Sequence, residues 1–384
     1  MTDQRASTPE FFPVAESPDL HSSSVPTSDS EDWRPLVVFQ ARGMDFFWII
    51  LRNLFFTVLN LGIYSFWAKV RRRVFLWRAT RIWGDPLEYT GTGKELFISF
   101  LIVMGFFVLF GLVVMLMTFL HFRATVAINT VLYIGLIYAI HFASYRAIRY
   151  RLTRTRWRGI RGNLDGSAAK YALKAFAYTW AVIGTLGILG PWSVSKLVSL
   201  QLNNTFFGNR RCSFNGTARE LYVAFFIVLL ASIAFMGAGF YFVCSSVDIA
   251  EITKIKPNPA AVRTLVNSII VVYAVLFVAL MLIGSLYQAA FARWFFGHLS
   301  FGSVRLRSTL KAGALCKLYV GNILLLVCTL GFAYPWVRLR SLRVPLNSID
   351  YRGDPDLERL LQDTMPAPKR GEGLLEALDF DITL

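Results

Sequence analysis

The chain has 384 residues, of which 55% are hydrophobic and only 17% charged. Several uncharged runs exceed the ~20 residues that a helix needs to cross a bilayer, which excludes an ordinary soluble domain and predicts a polytopic membrane protein. The net charge of +16 would suit nucleic-acid binding, but the basic residues flank apolar segments, where the positive-inside rule and anionic lipids explain them. We therefore expect membrane lipids with anionic head groups as partners of a basic face, and no nucleic acid.

The two ends of the chain are acidic, unlike its middle. Residues 1–33 contain one basic and seven acidic residues, and residues 354–384 contain three basic and eight acidic residues. The first stretch is rich in Ser and Pro and cannot bury enough apolar surface to order itself, so we expect a disordered tail there and an acidic C-terminal tail at the other end. Between them the sequence predicts a first membrane repeat at 34–158, a second at 159–292 and a partial third at 293–353.

The first repeat begins with a strand-like piece at 36–39, followed by an apolar segment with an uncharged core at 53–68. Sixteen residues are few for a crossing, which takes about 20. Two longer uncharged runs follow at 96–120 and 124–145, and the short link between them predicts a helical hairpin.

The same order of segments recurs along the chain. A second short segment is uncharged at 175–194, two long runs follow at 221–247 and 264–292, and a third short segment is uncharged at 318–337. Seven positions recur at a single offset of 125 residues, which identifies an internal repeat. They are Gly62, Trp67, Tyr89, Gly91, Thr92, Glu95 and Leu96 in the first copy, and Gly187, Trp192, Phe214, Gly216, Thr217, Glu220 and Leu221 in the second.

Each short segment contains a Leu-Gly pair shortly before a tryptophan, and in two copies a proline directly precedes the tryptophan. Glycine and proline loosen or end a helix, so these stretches could expose backbone carbonyls to a polar cavity, as broken helices of transporters do. The preference of tryptophan for the head-group level explains the same residues without a cavity. The candidate binding residues are Gly62, Trp67, Gly187, Pro191, Trp192, Gly331, Pro335 and Trp336.

These stretches, their basic flanks and three aromatic-x-Gly pieces resemble the YjgN-like family of bacterial inner-membrane proteins of unknown function. The resemblance covers residues 36–353 and implies a location in the bacterial inner membrane, with no established activity. The chain departs from the pattern at Phe66, where the other two copies have proline. The aromatic-x-Gly pieces are Tyr89-Thr-Gly91, Phe214-Asn-Gly216 and Tyr351-Arg-Gly353.

We expect an all-α polytopic membrane protein with two repeats of a broken segment plus a helical hairpin, a partial third repeat, and short extended pieces on the cytoplasmic face. If every segment crossed, the basic residues would be shared between the two sides of the membrane. Re-entrant short segments instead concentrate them in the cytoplasm, as the positive-inside rule favours. The sequence therefore predicts four full crossings, three re-entrant or in-plane segments, and both tails in the cytoplasm.

Two glutamates near the starts of long helices are candidate pathway residues. Glu95 and Glu220 each lie three residues after a threonine, which is the spacing of a capping box. The functional alternative is a pair of symmetry-related acids at the mouth of a proton-coupled pathway.

Two further ionisable residues lie inside apolar segments, where such groups are often functional. Arg52 follows Asp45 by two helical turns, but it could equally extend its side chain to the interface. His141 lies one turn from Tyr145 and could relay protons with it, or could simply be anchored near the basic interface.

Two functions from different classes remain open. The repeated broken segments favour transport or channel activity for a small solute, and the alternative is a non-transporting membrane component that binds lipid or protein partners. The sequence contains no Gly-rich phosphate loop, nucleophile elbow, His-Glu-x-x-His or paired-cysteine motif. We therefore expect no enzyme, no cofactor and no metal.

Overall fold

The computed structural model of this chain describes residues 32–120, 125–246 and 259–355. The predicted acidic tails, 1–33 and 354–384, lie almost wholly outside these residues.

All the elements described belong to one structural unit, which begins at Trp33. The helices are α1 (Gly43–Leu59), α2 (Ser65–Ala79), α3 (Gly93–Leu120), α4 (Thr125–Arg154), α5 (Ala168–Gly184), α6 (Gly190–Leu202), α7 (Ala218–Ser246), α8 (Pro259–Gly297), α9 (Ala312–Cys328) and α10 (Tyr334–Leu346). The strands are β1 (Arg34–Pro35), β2 (Val37–Phe39), β3 (Thr80–Ile82), β4 (Asp85–Tyr89), β5 (Thr155–Trp157), β6 (Ile160–Leu164), β7 (Thr205–Phe207), β8 (Arg210–Phe214), β9 (Leu299–Phe301), β10 (Val304–Ser308) and β11 (Ile349–Arg352).

The all-α prediction is wrong, because the described chain also forms an eleven-stranded sheet in the order β1-β11-β10-β9-β8-β7-β6-β5-β4-β3-β2. Every strand pairing in it is antiparallel. The strands have only two to five residues each. Segments that short show too little alternation of polar and apolar residues to be recognised beside long apolar helices.

The sheet closes on itself through the first residues of the unit. β1 pairs with β11, whereas β2, which follows it directly, pairs with β3. Between them the Leu36 amide donates to the Ile349 carbonyl at 2.9 Å, and the Leu36 carbonyl accepts from the Trp83 amide at 3.2 Å. One stretch of chain thus bonds both ends of the sheet, and the described strands form a closed strand ring.

The strand ring divides the described chain into five units, each with a strand, a pair of helices and a second strand. A tight turn joins each of the first four units to the next. In the first of these turns, Trp83 and Gly84 have φ values of 48° and 87°, as in the type I′ turns of β-hairpins. We number the helix pairs hairpin 1 (α1–α2), hairpin 2 (α3–α4), hairpin 3 (α5–α6), hairpin 4 (α7–α8) and hairpin 5 (α9–α10). The structure therefore has five units where the sequence pattern indicates two repeats and a partial third.

Neighbouring hairpins pack side by side around the strand ring: α2 on α3, α4 on α5, α6 on α7, α8 on α9, and α10 on α1. Two of the repeated tryptophans mediate this packing. Trp67 covers Gly93 at the start of α3, where an added Cβ would lie 2.7 Å from the indole Cδ1. Trp336 covers Gly43 at the start of α1 in the same way. A glycine is needed at both places because only a residue without a side chain leaves room for the indole.

The Leu-Gly pairs form the tips of the three short hairpins. Leu61, Leu186 and Leu330 have φ values of 48°, 50° and 49°, and the glycines that follow have φ values of 88°, 92° and 89°. In each tip the glycine amide donates at 2.8 Å to the carbonyl five residues earlier, as in a Schellman motif. Each short hairpin therefore turns back on itself and returns to the strand ring from which it started.

Hairpins 2 and 4 are longer than the other three. Their helices α3, α4, α7 and α8 are the described helices that are long and apolar enough to cross a membrane. α3 has 28 residues and α1 has 17, so at about 1.5 Å per residue they are roughly 42 Å and 25 Å long. The four helices are those for which the sequence predicts full crossings.

Five aromatic side chains follow one another around the strand ring. Trp83 contacts both Trp157 and Tyr351, with ring centroids 5.4 Å apart in each pair. Phe207 contacts Trp157 at 5.7 Å and Phe301 at 6.3 Å. Edge-on and tilted contacts of this kind stabilise beyond the apolar area that they bury, so this aromatic belt ties the five units together.

Replacing Gly187 by alanine should destabilise the protein by roughly 1–2 kcal/mol, the cost of a left-handed conformation for a residue with a Cβ. Nothing lies within 4 Å of the added Cβ, so the cause is backbone strain and not a clash. Gly184, in the same hairpin, is equally open but has no positive φ, so Gly184→Ala should be neutral or stabilising. Thermal unfolding in detergent measures both variants, and equal effects would contradict this explanation.

Gly43→Ala should lower stability by about 1–3 kcal/mol, because the new Cβ would overlap the Trp336 indole. In a Trp336→Ala background the same change should cost little. The coupling energy from a double-mutant cycle measures this contact, and additive effects would show that Trp336 does not join hairpin 5 to hairpin 1.

Candidate functional site

A groove of about 610 Å³ runs between the start of α1 and the second half of α2 in hairpin 1. The two helices are antiparallel, and α1 begins where α2 approaches its end. The groove is lined by Gln40, Ala41, Arg42, Asp45, Ile49, Val70, Arg71, Val74, Phe75, Arg78 and Ala79.

The groove combines apolar and charged lining residues. Val74 and Phe75 lie between Arg71 and Arg78 in the sequence, and spacings of three, four and seven residues place all four on one helix face. Asp45 of α1 also lines the groove. It lies in the first helical turn, where a carboxylate interacts favourably with the helix dipole.

The charged groups of the groove are not neutralised by one another. Arg42, Asp45 and Arg78 form no ion pair within the described part of the chain. The Arg71 guanidinium lies 5.4 Å from the ring centroid of Tyr64, a contact that leaves its N–H groups at the edge of the plane available to an acceptor. Three guanidinium groups and one carboxylate therefore give the groove a formal excess of positive charge.

The other two short hairpins show which features are particular to hairpin 1. Alignment on the tip glycines places Lys196 and Arg340 at the position of Arg71, so a basic residue is common to all three. At the position of Arg78 the other hairpins have Asn203 and Asn347. Each asparagine Oδ1 accepts at 2.8 Å from a backbone amide in the first strand of the next unit. The donors are Phe214 for Asn203 and Phe39 for Asn347. Hairpin 1 has an arginine in place of this structural asparagine.

A second basic cluster adjoins the groove, where α2 meets α10. It encloses only about 40 Å³ and is lined by Phe46, Lys69, Arg72, Arg73, Leu76, Tyr334 and Arg338. Four cationic side chains in so small a region raise the local positive potential, which attracts anions to this side of the protein.

The tip glycines line neither the groove of hairpin 1 nor the second basic cluster. At Gly62, Gly187 and Gly331 the glycine amide, the amide of the preceding leucine and the glycine carbonyl all bond to backbone groups of the same turn. Pro191 and Pro335 are buried in the first turns of α6 and α10, where the missing amide hydrogen costs nothing.

The repeated tryptophans have packing contacts. Trp67 and Trp336 cover the glycines at the starts of α3 and α1, and Trp192 packs edge-on against Tyr178 with ring centroids 4.7 Å apart. Arg52 is exposed on α1 and lies outside the groove, although Asp45 lines it. The structure therefore does not bring the predicted binding residues together at one site.

The two glutamates bind side chains at the other end of their long hairpins. Glu95 accepts from Tyr150 and Arg154 of α4, both at 2.7 Å. Glu220 lies 3.2 Å from His298, at the corresponding place after α8. In the first repeat the threonine half of the capping box is formed, with the Glu95 amide donating to Thr92 Oγ1 at 3.3 Å.

His141 joins a long hairpin to a short one. Its Nε2 lies 2.9 Å from Thr179 Oγ1 of α5. Tyr145 does not continue this pair, because its hydroxyl donates to the Asp165 carbonyl near the strand ring. The contact therefore sets the register between α4 and α5.

The cysteines give no reactive centre at the groove. All four are free. Burial raises the pKa of Cys212, in β8, to about 11, so its thiol stays protonated near neutral pH.

The groove arginines were not among the residues predicted from the sequence, because the positive-inside rule explains any basic run beside an apolar segment. A signal was nevertheless present. Aligning the three short segments shows Arg78 where the other two have asparagine.

Glu95→Gln should destabilise the protein by about 1 kcal/mol, because Arg154 and Tyr150 lose a charged acceptor. Glu220→Gln should cost less, under about 0.5 kcal/mol, since Glu220 is 56% exposed against 36% for Glu95. Unfolding midpoints in detergent test the order. A silent Glu95→Gln variant would contradict the structural role.

Comparison with known proteins agrees with the motif-based resemblance. A curated relative, the "Inner membrane protein YjgN" of Salmonella typhimurium, is 24% identical over 371 residues, which cover 88% of this chain and 94% of the relative. No solved structure matches. Residues 34–377 match the family described as bacterial protein of unknown function, DUF898. With its four apolar helices and a match over most of its length, the chain is a membrane protein that belongs to the DUF898 family.

Proposed function

We propose that this protein is a non-transporting component of the bacterial inner membrane that binds an anionic phospholipid in the groove of hairpin 1. The observation that supports the proposal most directly is the set of three arginines beside an apolar groove wall, none of which forms an ion pair with any of the described residues. The similarity to an inner-membrane protein of Salmonella typhimurium supports the inner-membrane location.

The groove matches the chemistry of a phospholipid in two respects. Guanidinium groups bind phosphate oxygens through paired, charge-assisted hydrogen bonds. The apolar side chains Ile49, Val70 and Val74 offer a surface to the glycerol and first acyl carbons. Asp45 reduces the excess charge, so the groove suits a phosphodiester with one negative charge better than a more highly charged anion.

The position of the groove also supports a lipid. It lies at the strand-ring end of hairpin 1, whereas the tip at the other end is apolar and exposed. The change from apolar to basic surface along a hairpin is the pattern of a membrane interface, where head groups lie.

Transport of a small solute has less support. The transport hypothesis came from breaks in the short segments that could expose backbone carbonyls, and in the structure these breaks are hydrogen-bonded turns. The repeated tryptophans contact glycine or tyrosine and line neither of the two grooves described.

Native mass spectrometry of the full chain in detergent, titrated with phosphatidylglycerol, tests lipid binding. The Arg71→Gln, Arg78→Asn double variant should bind at least about tenfold more weakly, since a charge-assisted hydrogen bond contributes about 1.5–3 kcal/mol. The matched control is Lys196→Gln in hairpin 3, which changes the equivalent basic position where no such groove is described, and it should bind like the unaltered protein.

Three outcomes would count against the proposal. Equal loss in the control would indicate nonspecific attraction to basic helices, and displacement of the lipid by inorganic phosphate at matched concentration would identify a free-phosphate site. Osmotic swelling of reconstituted vesicles beyond that of empty vesicles would favour transport instead.

A further inference from the structure

The short hairpins end well before the long helices that flank them. His141 of α4 and Thr179 of α5 are in contact and lie at one level. From that level α5 continues five residues to its end at Gly184, whereas α4 extends sixteen residues in the same direction to its start at Thr125. At about 1.5 Å per residue, the long helix continues roughly 16 Å beyond the end of the short one.

The other two short hairpins show the same difference. Ser285 of α8 and Cys316 of α9 lie 2.9 Å apart. From there α9 has twelve residues left and α8 twenty-six, so α8 continues roughly 21 Å further. In hairpin 1, Phe66 lies at the start of α2 and packs on Phe100, after which α3 continues for about 30 Å to its end.

The two differences measured from contacts at one level, roughly 16 Å and 21 Å, are close to the thickness of a leaflet. The hydrocarbon core of a bilayer is about 30 Å thick, so a leaflet measures about 15 Å. If the long helices cross both leaflets, the tips of the short hairpins end near the bilayer midplane. Their backbones suit that depth in part, because the leucine and glycine amides and the glycine carbonyl of each tip are bonded within the turn.

The tips themselves are suited to lipid. Leu61, Leu186 and Leu330 are 94%, 95% and 90% exposed, so their side chains have almost no contact with the rest of the chain. Each has a left-handed backbone, which costs a non-glycine residue roughly 1–2 kcal/mol and which asparagine or glycine would adopt more easily. An apolar side chain in the same strained position of three hairpins indicates an interaction outside the chain that offsets the strain.

We propose that the three short hairpins insert only into the leaflet next to the strand ring, while α3, α4, α7 and α8 cross both leaflets, so that the protein is a wedge that favours membranes curved convexly on the strand-ring side. The tip leucines therefore contact the acyl chains of the bilayer. This proposal is independent of lipid binding in the groove.

The size of the wedge follows from the helix count. The six helices of hairpins 1, 3 and 5 add cross-section to one leaflet and none to the other. With helix diameters of about 10 Å, the excess is roughly 500 Å² per molecule. A leaflet that must accommodate extra area expands relative to its partner, and the bilayer responds by bending toward it.

Tether pulling from giant vesicles tests the wedge. The native cysteines are replaced by serine, and the full chain is reconstituted with a fluorophore attached through Arg81→Cys, at an exposed position of the strand ring. An impermeant quencher then reports which side the strand ring faces. The ratio of protein density in the tether to that in the planar membrane should exceed one when the strand ring faces outward and fall below one when it faces the lumen. A ratio of one in both orientations would overturn the proposal.

Two tip variants separate curvature from folding. The triple asparagine variant, Leu61→Asn, Leu186→Asn and Leu330→Asn, relieves the backbone strain, so its stability in detergent should be equal or higher. Its density ratio should return toward one. The matched triple replacement by methionine keeps the tips apolar and should preserve sorting. If the asparagine variant changed the oligomeric state and left sorting unaltered, the tips would contact a second copy and the wedge would be refuted.

The Arg71→Gln, Arg78→Asn variant should sort like the unaltered protein. The two proposals, curvature sorting by the tips and lipid binding in the groove, can therefore fail independently.

Discussion

The fold depends on the closure of the strand ring by the chain around Leu36. Its amide and its carbonyl bond to opposite ends of the sheet, so a single residue joins the two edges that would otherwise expose unpaired backbone groups. Because each hairpin starts from one strand of the ring and ends in the next, closing the ring fixes the positions of all five. The packing of α10 on α1 and the contact of Trp336 with Gly43 follow from that closure.

Because the ring has five units, two short hairpins with many basic residues lie next to each other. Short and long hairpins alternate from hairpin 1 to hairpin 5, so the closed ring must place two short hairpins next to each other. At that junction α2 and α10, which contain most of the basic residues of the short hairpins, come together and form the cluster that includes Arg72 and Arg338. The groove with Arg71 and Arg78 is formed by the same α2 helix. It belongs to one of the two short hairpins that are neighbours in the ring.

The sequence predicted the features that depend on local chemistry. The lengths of the apolar runs separate short from long hairpins, and the Leu-Gly pairs mark the turns. The strands were missed because two to five residues give no usable periodicity, although turn sequences such as Trp83-Gly84 and the glycines Gly208 and Gly302 are typical of two-residue hairpins. Contacts between residues far apart in the sequence were also missed, because they leave no local pattern. Threonine three residues before Glu95 indicates a cap, whereas its partner Arg154 is 59 residues away and no local spacing reveals it.

The closure of the ring also dictates an order of events during synthesis. Ile349 is made more than three hundred residues after Leu36, so at about 5–20 residues per second the first strand waits roughly 15–60 s before its second edge can be bonded. Until then four complete hairpins can form while the ring is still open between its first and last units. The last step of folding is therefore the docking of the C-terminal strand onto the oldest part of the chain, and a chain that stops short of residue 349 leaves both edges exposed.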